Sequence, residues 1–567
     1  MSLVSVRDGS VESETRHILR HSLPPRKLLT RAIALGVLNG LCAVALLVLS
    51  AWLITRASEQ PSIIYLSAAI VGVRAFALGG AFFRYLERLA SHDAAFRQLG
   101  EVRAGMFKRL IPLAPAGLGA VNSGDVLSRF ASDVDDLQDY PLRVIQPLIT
   151  ASVVAATAIT GVALFLPLAA VVLALMLLLA LSIGVLVTRW ALSDTERSIA
   201  PLRSALVTEI VGLVRKLDVL IAFDALEEAQ HRVATASDAL TRAVRVRATV
   251  SAIATAGVSV CTGFAIVGVL FVGIPALGSH QLTAPQLAAL ALLPLALFEF
   301  CGPVPVALGV YHRVRSSAER IATTAPLALP AEIVVDAPDA KTVDITTTPR
   351  IRLDALGARW PGATLPALRE VSLELSPGER VLLTGPTGSG KTTLAYVLTR
   401  LLDMSGSYTI NGVDVRELTQ DCVRKTVSLC EQHPYLFDST IRQNILFARD
   451  TATDNELLDV VDRVGLGQWV RDRGGLDAHV GERGALVSGG QAQRIAVARM
   501  LLSSVPIMIF DEPTAHVDPG VADRIVRDLL SLARDEGRTA LLISHTGAPA
   551  ELITRTVTMA EGRLIAG

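Results

Sequence analysis

A chain of 567 residues is long enough for several domains, yet 51% of it is hydrophobic and only 19% is charged, which excludes an ordinary soluble enzyme. Lys plus Arg and Asp plus Glu number 53 each, so the formal net charge is zero and nothing draws a polyanion; nucleic acid is excluded as a partner. The 5 cysteines (Cys42, Cys261, Cys301, Cys422, Cys430) form no CxxC pair, so neither a disulfide framework nor a zinc site is expected.

Residues 1–27 are polar and charged, an N-terminal segment without a cleavable leader. A membrane span needs about 20 apolar residues to cross about 30 Å of hydrocarbon. No charge lies between Arg31 and Arg56, and the next apolar stretch, 61–83, is interrupted only by Arg74. Residues 144–188 carry none; at about 1.5 Å per residue they are long enough to cross twice, with a turn expected at Pro167. Residues 248–278 and 282–310 supply the fifth and sixth spans, the last carrying Glu299 alone. Ionisable residues inside spans are expected to face a translocation path or to pair between helices, which applies to Arg74 and Glu299. Residues 28–322 therefore predict a six-helix, all-α transmembrane domain.

Basic residues cluster before span one (Arg26, Lys27, Arg31), after span two (Arg84, Arg88, Arg97, Arg103, Lys108, Arg109), around the loop between spans four and five (Arg189, Arg242, Arg245, Arg247), and after span six (Arg313, Arg315, Arg320). Because Lys and Arg are retained inside, both termini are expected in the cytoplasm, with two long cytoplasmic loops and short outer ones. Residues 323–349, rich in Pro, Ala and Thr without a helical period, predict a linker. From 350 to 567, short β-branched runs alternate with helical segments, the pattern of an α/β domain with a largely parallel sheet.

Within that domain a strand ending at Thr384 runs into Gly385, Pro386, Thr387, Gly388, Ser389, Gly390, Lys391 and Thr392, matching GxxxxGK[ST], and then through Thr393 into a helix. Glycines let successive amides turn onto a phosphate, Lys391 reaches the β- and γ-phosphates, Thr392 offers its hydroxyl to Mg²⁺, and the helix N-terminus adds its positive end. This is a P-loop, and it predicts ATP and Mg²⁺ as ligands. Further on, the apolar run "SVPIMIF" ends in Asp511 and Glu512, placed to hold Mg²⁺ and to polarise the water that attacks the γ-phosphate. A glycine-rich turn or a solvated acidic pair is ordinary alone; strand, loop, helix and second strand in this order are not.

"VGERGALVSGGQAQRIAVARM" holds a second cradle, Ser488, Gly489, Gly490 and Gln491, opening another helix. A chain with a P-loop already has a site for its own nucleotide, so this cradle makes sense when it closes on a nucleotide held by another domain. The arrangement resembles the ATP-binding cassette (ABC) family, whose LSGGQ signature stands here with Val487 in place of Leu. The resemblance implies further roles. Trp360 matches the aromatic that stacks on adenine, Gln432 the loop glutamine that touches Mg²⁺, Asp518 the D-loop, with His516 unusual beside it, and His545 the switch histidine at the γ-phosphate. "VGERG" and residues 122–138 resemble the segments of exporter-type cassettes and membrane domains that touch one another. One such chain is a half-transporter and implies a dimer.

"SAWLITRASEQP", "GVRAFALGGAFFRYLERLASHDAAFRQL" and "DVDDLQDYPLRVIQPL" are similar to the CydC branch of the heterodimeric CydDC exporters that serve cytochrome bd assembly. That resemblance implies a CydD-like half-transporter as partner, a cytoplasmic-membrane location, and cysteine, glutathione or haem as cargo. Arg84, Arg88 and His92, at i, i+4 and i+8, share a helix side; two guanidiniums could hold carboxylates and an imidazole could ligate haem iron. The alternative is a solvated helix end in which Glu87 and Asp93 pair with these bases. Lipid or drug-like cargo, and an ATP-gated regulatory membrane protein, remain as other readings; a soluble cassette ATPase is incompatible with six spans.

Overall fold

The apolar stretches become helices because a chain in hydrocarbon must satisfy every amide and carbonyl internally. In the computed structural model, which describes residues 2–117, 132–191, 197–343, 348–432, 434–514, 519–545 and 547–565, 6 helical segments are long and apolar enough to cross a membrane. The chain divides into two compact units, the first made of Met1–Lys108 and Asn122–Leu327, the second of Arg109–Val121 and Ala328–Gly567.

In the first unit a leading helix α1 (Ser2–His21) precedes α2 (Arg26–Ser58) and α3 (Ile63–Leu113). Helices α4 (Gln146–Phe165) and α5 (Pro167–Ala191) are separated at Leu166, which is extended (φ −149°, ψ 92°). Pro167 cannot donate the bond that would continue α4 but suits the first turn of α5. Then come α6 (Leu226–Gly278), α7 (Ala284–Cys301) and α8 (Pro303–Thr324). With 51 and 53 residues, α3 and α6 each run about 75–80 Å without interruption, more than twice the hydrocarbon thickness.

Lipid tails are as apolar as leucine, so these helices associate through close fit, and small residues provide it. A Cβ on Gly40 of α2 would lie 2.7 Å from Val154 Cγ2 of α4 and 2.8 Å from Phe300 Cε2 of α7; one on Gly268 of α6 would lie 2.7 Å from Val172 Cγ1 of α5. Val154, Ala169, Leu173, Ala265 and Leu297 form the buried centre of this unit. At one end, acidic residues preceding α4 meet α8. Arg320 Nε donates to Asp133 Oδ2 at 3.0 Å, Ser317 Oγ to Asp136 Oδ2 at 2.9 Å, and Arg313 Nη2 to Asp139 Oδ2 at 2.7 Å. Asp133 and Asp136 belong to the segment (122–138) resembling the first exporter loop, and Asp139 directly follows it; its earlier part, 122–131, lies outside the described residues.

The second unit has two sheets. The larger follows the order β10-β9-β3-β8-β7-β6, from strands β3 (Arg380–Thr384), β6 (Val427–Cys430), β7 (Ile507–Asp511), β8 (Thr539–Ile543), β9 (Arg555–Ala560) and β10 (Arg563–Ile565). It is parallel except for the β9–β10 edge hairpin. Every residue of β7 and β8 is buried, which is why they are continuous apolar runs rather than alternating ones. The smaller sheet, β2-β1-β4-β5, is antiparallel, from β1 (Ile351–Ala358), β2 (Leu368–Leu375), β4 (Ser405–Ile410) and β5 (Val413–Asp414). A largely parallel sheet alone is therefore too simple a description of this half. The second sheet forms because β1 and β2 alternate: Ile351, Leu353, Leu373 and Leu375 point into the core while Arg352, Asp354 and Glu374 face out.

The Pro/Ala/Thr-rich stretch does not stand away from this unit. Ile333 and Val334 are buried, Asp403 N donates to Glu332 O at 2.9 Å, and Gln420 N donates to Asp336 Oδ1 at 2.9 Å.

Candidate functional site

The strand order decides where the chemistry gathers. In a parallel sheet the carboxyl ends of neighbouring strands share one edge. Here β6, β7, β8 and β3 are adjacent, so Gln432 after β6, Asp511 and Glu512 at the end of β7, His545 after β8, and the P-loop after β3 meet at one edge, although they span residues 385–545 in sequence.

The P-loop turns back through glycines in left-handed conformations, Gly388 (φ +78°) and Gly390 (φ +107°), and then opens helix α9 (Lys391–Leu398). A Cβ on Gly390 would lie 2.8 Å from the Ala367 carbonyl, so the turn demands glycine both for conformation and for space. Lys391 is buried, its Nζ donating to the carbonyls of Gly385 and Pro386 at 2.9 Å each. Ser389 Oγ is buried with no hydrogen-bond partner among the described residues, an orphaned hydroxyl inside the loop. Thr392 hydrogen-bonds to Asp511, whose carboxyl is pushed above the usual carboxylate range by burial, with Glu512 adding to the effect and Thr392 and Lys391 opposing it. Thr392 and Asp511 together are the hydroxyl and carboxylate that a Mg²⁺-triphosphate requires, and the orphan and the free turn suit phosphate; the residues fit both ligands.

Glu512 is the most constrained of the acids. Its φ is +47°, its amide donates to the Ile543 carbonyl at 2.9 Å, and its carboxylate is gripped from both sides. Gln432 Nε2 donates to Oε2 at 2.9 Å, and His545 Nε2 pairs with Oε1. A non-glycine residue held in this region is strained, and strain of this kind gathers at functional sites.

Trp360, just past β1, is half-buried, with Nε1 donating to Thr393 Oγ1 at 3.1 Å and its ring 5.2 Å from that of Tyr396. Ser488 caps helix α10 (Gly489–Leu502) in a reciprocal box: its hydroxyl accepts from Gln491 N at 3.3 Å while its own amide donates to Gln491 Oε1 at 2.8 Å. Ser488 and Gly489 are exposed, and a Cβ on Gly489 would meet nothing within 4 Å. Val487 is partly buried against the apolar core of the second unit, an apolar anchor as a leucine would be. Asp518, His516 and their neighbours lie outside the described residues.

The residues named for cargo do not gather in the same way. Arg84, Arg88 and His92 are exposed along α3, with His92 beside Phe96 at 5.7 Å. Glu87 accepts instead from Gln146 on α4, and Asp93 pairs with Arg97 at 3.0 Å, so neither acid pairs with the three bases. Arg74 and Glu299 are exposed, and no ion pair joins them among the described residues. Three residues of the catalytic edge escape sequence reasoning. Tyr396 and Glu431 hydrogen-bond to one another at 3.1 Å, and buried Gln493 of α10 donates to Cys430 Sγ at 3.2 Å. Only a polar side chain on the buried face of a helix could have marked Gln493 beforehand.

The sequence matches the ABC transporter transmembrane region over residues 29–299 and the ABC transporter family over residues 368–515. It is 29% identical over 544 residues to the glutathione/L-cysteine transport system ATP-binding/permease protein CydC of Escherichia coli (strain K12), covering 95% of this chain and 93% of that protein. To CydD, of the same description, from Bacillus subtilis (strain 168), it is 28% identical over 550 residues, covering 95% and 92%. Its fold is similar to that of a bacterial Atm1-family ABC exporter with ATP bound, at a TM-score of 0.74 and 20% identity over 96% of this chain and 95% of that one. With a membrane region, 6 candidate spans and an ATP-binding domain in one polypeptide, the chain belongs to the ABC transporters and couples ATP hydrolysis to transport.

Proposed function

We propose that the chain is one half of a heterodimeric exporter of low-molecular-weight thiols in the cytoplasmic membrane, with both termini and the cassette (residues 350–567) on the cytoplasmic side of the six-span domain (28–322). The similarity to CydC and CydD along 95% of the chain supports the thiol cargo and a CydD-like partner. The observation that supports the dimer is Gly489: it is exposed at the start of α10 and a Cβ there would meet nothing within 4 Å among the described residues, which leaves bare backbone open to a neighbour from outside the chain. A nucleotide held by the partner's P-loop is such a neighbour, and the exposed N-terminus of α10 favours its phosphates.

On this chain's own nucleotide, Trp360 stacks on adenine, the amides of residues 385–393 cradle the phosphates, and Lys391 exchanges the Gly385 and Pro386 carbonyls for phosphate oxygens. Mg²⁺, when bound through Thr392, Asp511 and Gln432, supplies neutralisation of the charge that develops on the phosphates. Glu512 is the catalytic base. Gln432 and His545 each engage one oxygen of this carboxylate; transfer of the His545 hydrogen bond to a γ-phosphate oxygen turns Oε1 toward the attacking water as its acceptor. Asp518 is assigned to the partner-facing D-loop.

The test is ATPase activity of the assembled transporter in lipid with cysteine, glutathione or haemin added, repeated with Arg84→Ala, Arg88→Ala and His92→Ala. Stimulation by a thiol, weakened by loss of either arginine, is the expected result. A response to haemin alone, abolished by His92→Ala, replaces thiol with haem as cargo, and basal hydrolysis indifferent to all three overturns both assignments.

A further inference from the structure

We propose that Tyr396 is a positioning residue that ties the seat of the nucleotide base to the catalytic glutamate. The inference rests on the reading of Trp360 as the adenine-stacking residue and extends it. Thr393 and Tyr396 stand three apart on α9 and face Trp360 together, one through a hydrogen bond to the indole N–H and one through its ring at 5.2 Å. The Tyr396 hydroxyl then donates to Glu431 Oε1 at 3.1 Å. Glu431 is the residue before Gln432, whose amide donates to Glu512 at 2.9 Å. Tyr396, Glu431 and Gln432, the last two joined through the backbone, thus connect the base platform to the catalytic carboxylate without passing through the phosphates.

The physical logic is one of shared restraint. Glu431 is exposed, and apart from the Tyr396 hydroxyl its carboxylate has no hydrogen-bond or ion-pair partner among the described residues. Tyr396 itself is half-buried, and burial followed by the charge of Glu431 pushes its hydroxyl up to about 12, so it remains a donor throughout the working range of pH. A base seated on Trp360 fixes the indole, the indole limits the tilt of the Tyr396 ring, and the hydroxyl sets how far the Gln432 loop can move from Glu512. Loss of the hydroxyl should therefore slow turnover without weakening nucleotide binding.

The experiment is steady-state ATP hydrolysis by the assembled transporter in lipid, with Tyr396→Phe, Glu431→Ala, Glu431→Gln, the Tyr396→Phe/Glu431→Ala double variant, and Trp360→Ala. Tyr396→Phe keeps the ring and should lower kcat about three- to tenfold, the equivalent of one hydrogen bond, with KM for ATP unchanged within about twofold. Glu431→Ala should do the same and the double variant no more, whereas Glu431→Gln, which still offers an acceptor oxygen, should stay near the parent. Parent-level kcat in Tyr396→Phe, additive losses in the double variant, or failure of Glu431→Gln to hold activity would overturn the proposal. Trp360→Ala separates the two failures: if it leaves KM unchanged, the adenine assignment is wrong, and if it raises KM while Tyr396→Phe is silent, only the link through Tyr396 falls.

Discussion

Glu512 shows at the level of one residue how the site uses strain. Its left-handed backbone costs on the order of 1–3 kcal/mol and is held by the Ile543 carbonyl below and two side-chain donors above. Glu512→Gln keeps the shape and removes the base; hydrolysis should fall at least about 10²-fold while ATP still binds, as read by steady-state turnover against nucleotide-binding titration. Equal loss of binding would make Glu512 structural. Gly489 offers the complementary case. An Asp there has room, and its charge suits a helix N-terminus, so Gly489→Asp should leave thermal unfolding within about 0.5 kcal/mol of the parent. It should nevertheless abolish ATP hydrolysis of the assembled transporter, because the carboxylate occupies the place of a partner's phosphate. Retained hydrolysis would sink the role given to Ser488–Gln491.

Among the elements, the helices of the first unit are held by what they lack. Gly40→Leu must push Val154 and Phe300 aside, and overpacking of this kind should cost about 1–3 kcal/mol, seen as a lowered unfolding temperature in detergent. Gly80→Ala, where the new methyl would lie 3.7 Å from Cys42 Cβ, is the matched control and should be tolerated. The contacts of Asp133, Asp136 and Asp139 with α8 behave as a set. Arg320→Met leaves the mostly buried Asp133 carboxylate without its main donor and should destabilise by about 1–3 kcal/mol, an effect that Asp133→Asn on top of it should not increase. Additive losses in that cycle would mean the pair does not interact. The spans themselves were legible in the sequence, because an uncharged run of some twenty residues has few other uses, and Pro167 marked a real boundary between α4 and α5. The small antiparallel sheet was not legible, since short alternating strands between glycines look alike whether they join a parallel sheet or form a second one.

For the whole molecule, the proposed sharing of nucleotide sites between two half-transporters sets the expectation. The chain purified without a partner should bind ATP but turn it over slowly, and activity should rise with the concentration of the second half-transporter until it saturates. High, concentration-independent hydrolysis by the lone chain would show that Ser488–Gln491 is not needed in trans.

The sequence by itself determined that there is a membrane half and a nucleotide half, and which side chains form the P-loop motif, because hydrophobic length and that motif are local properties of consecutive residues. Only the tertiary structure decided that Gln432, Asp511, Glu512 and His545 meet at one edge, and that Tyr396, Glu431 and Gln493 stand among them. That depends on the order β6-β7-β8-β3, and strand order is set by which buried faces pack together, a long-range choice that no short window of residues contains.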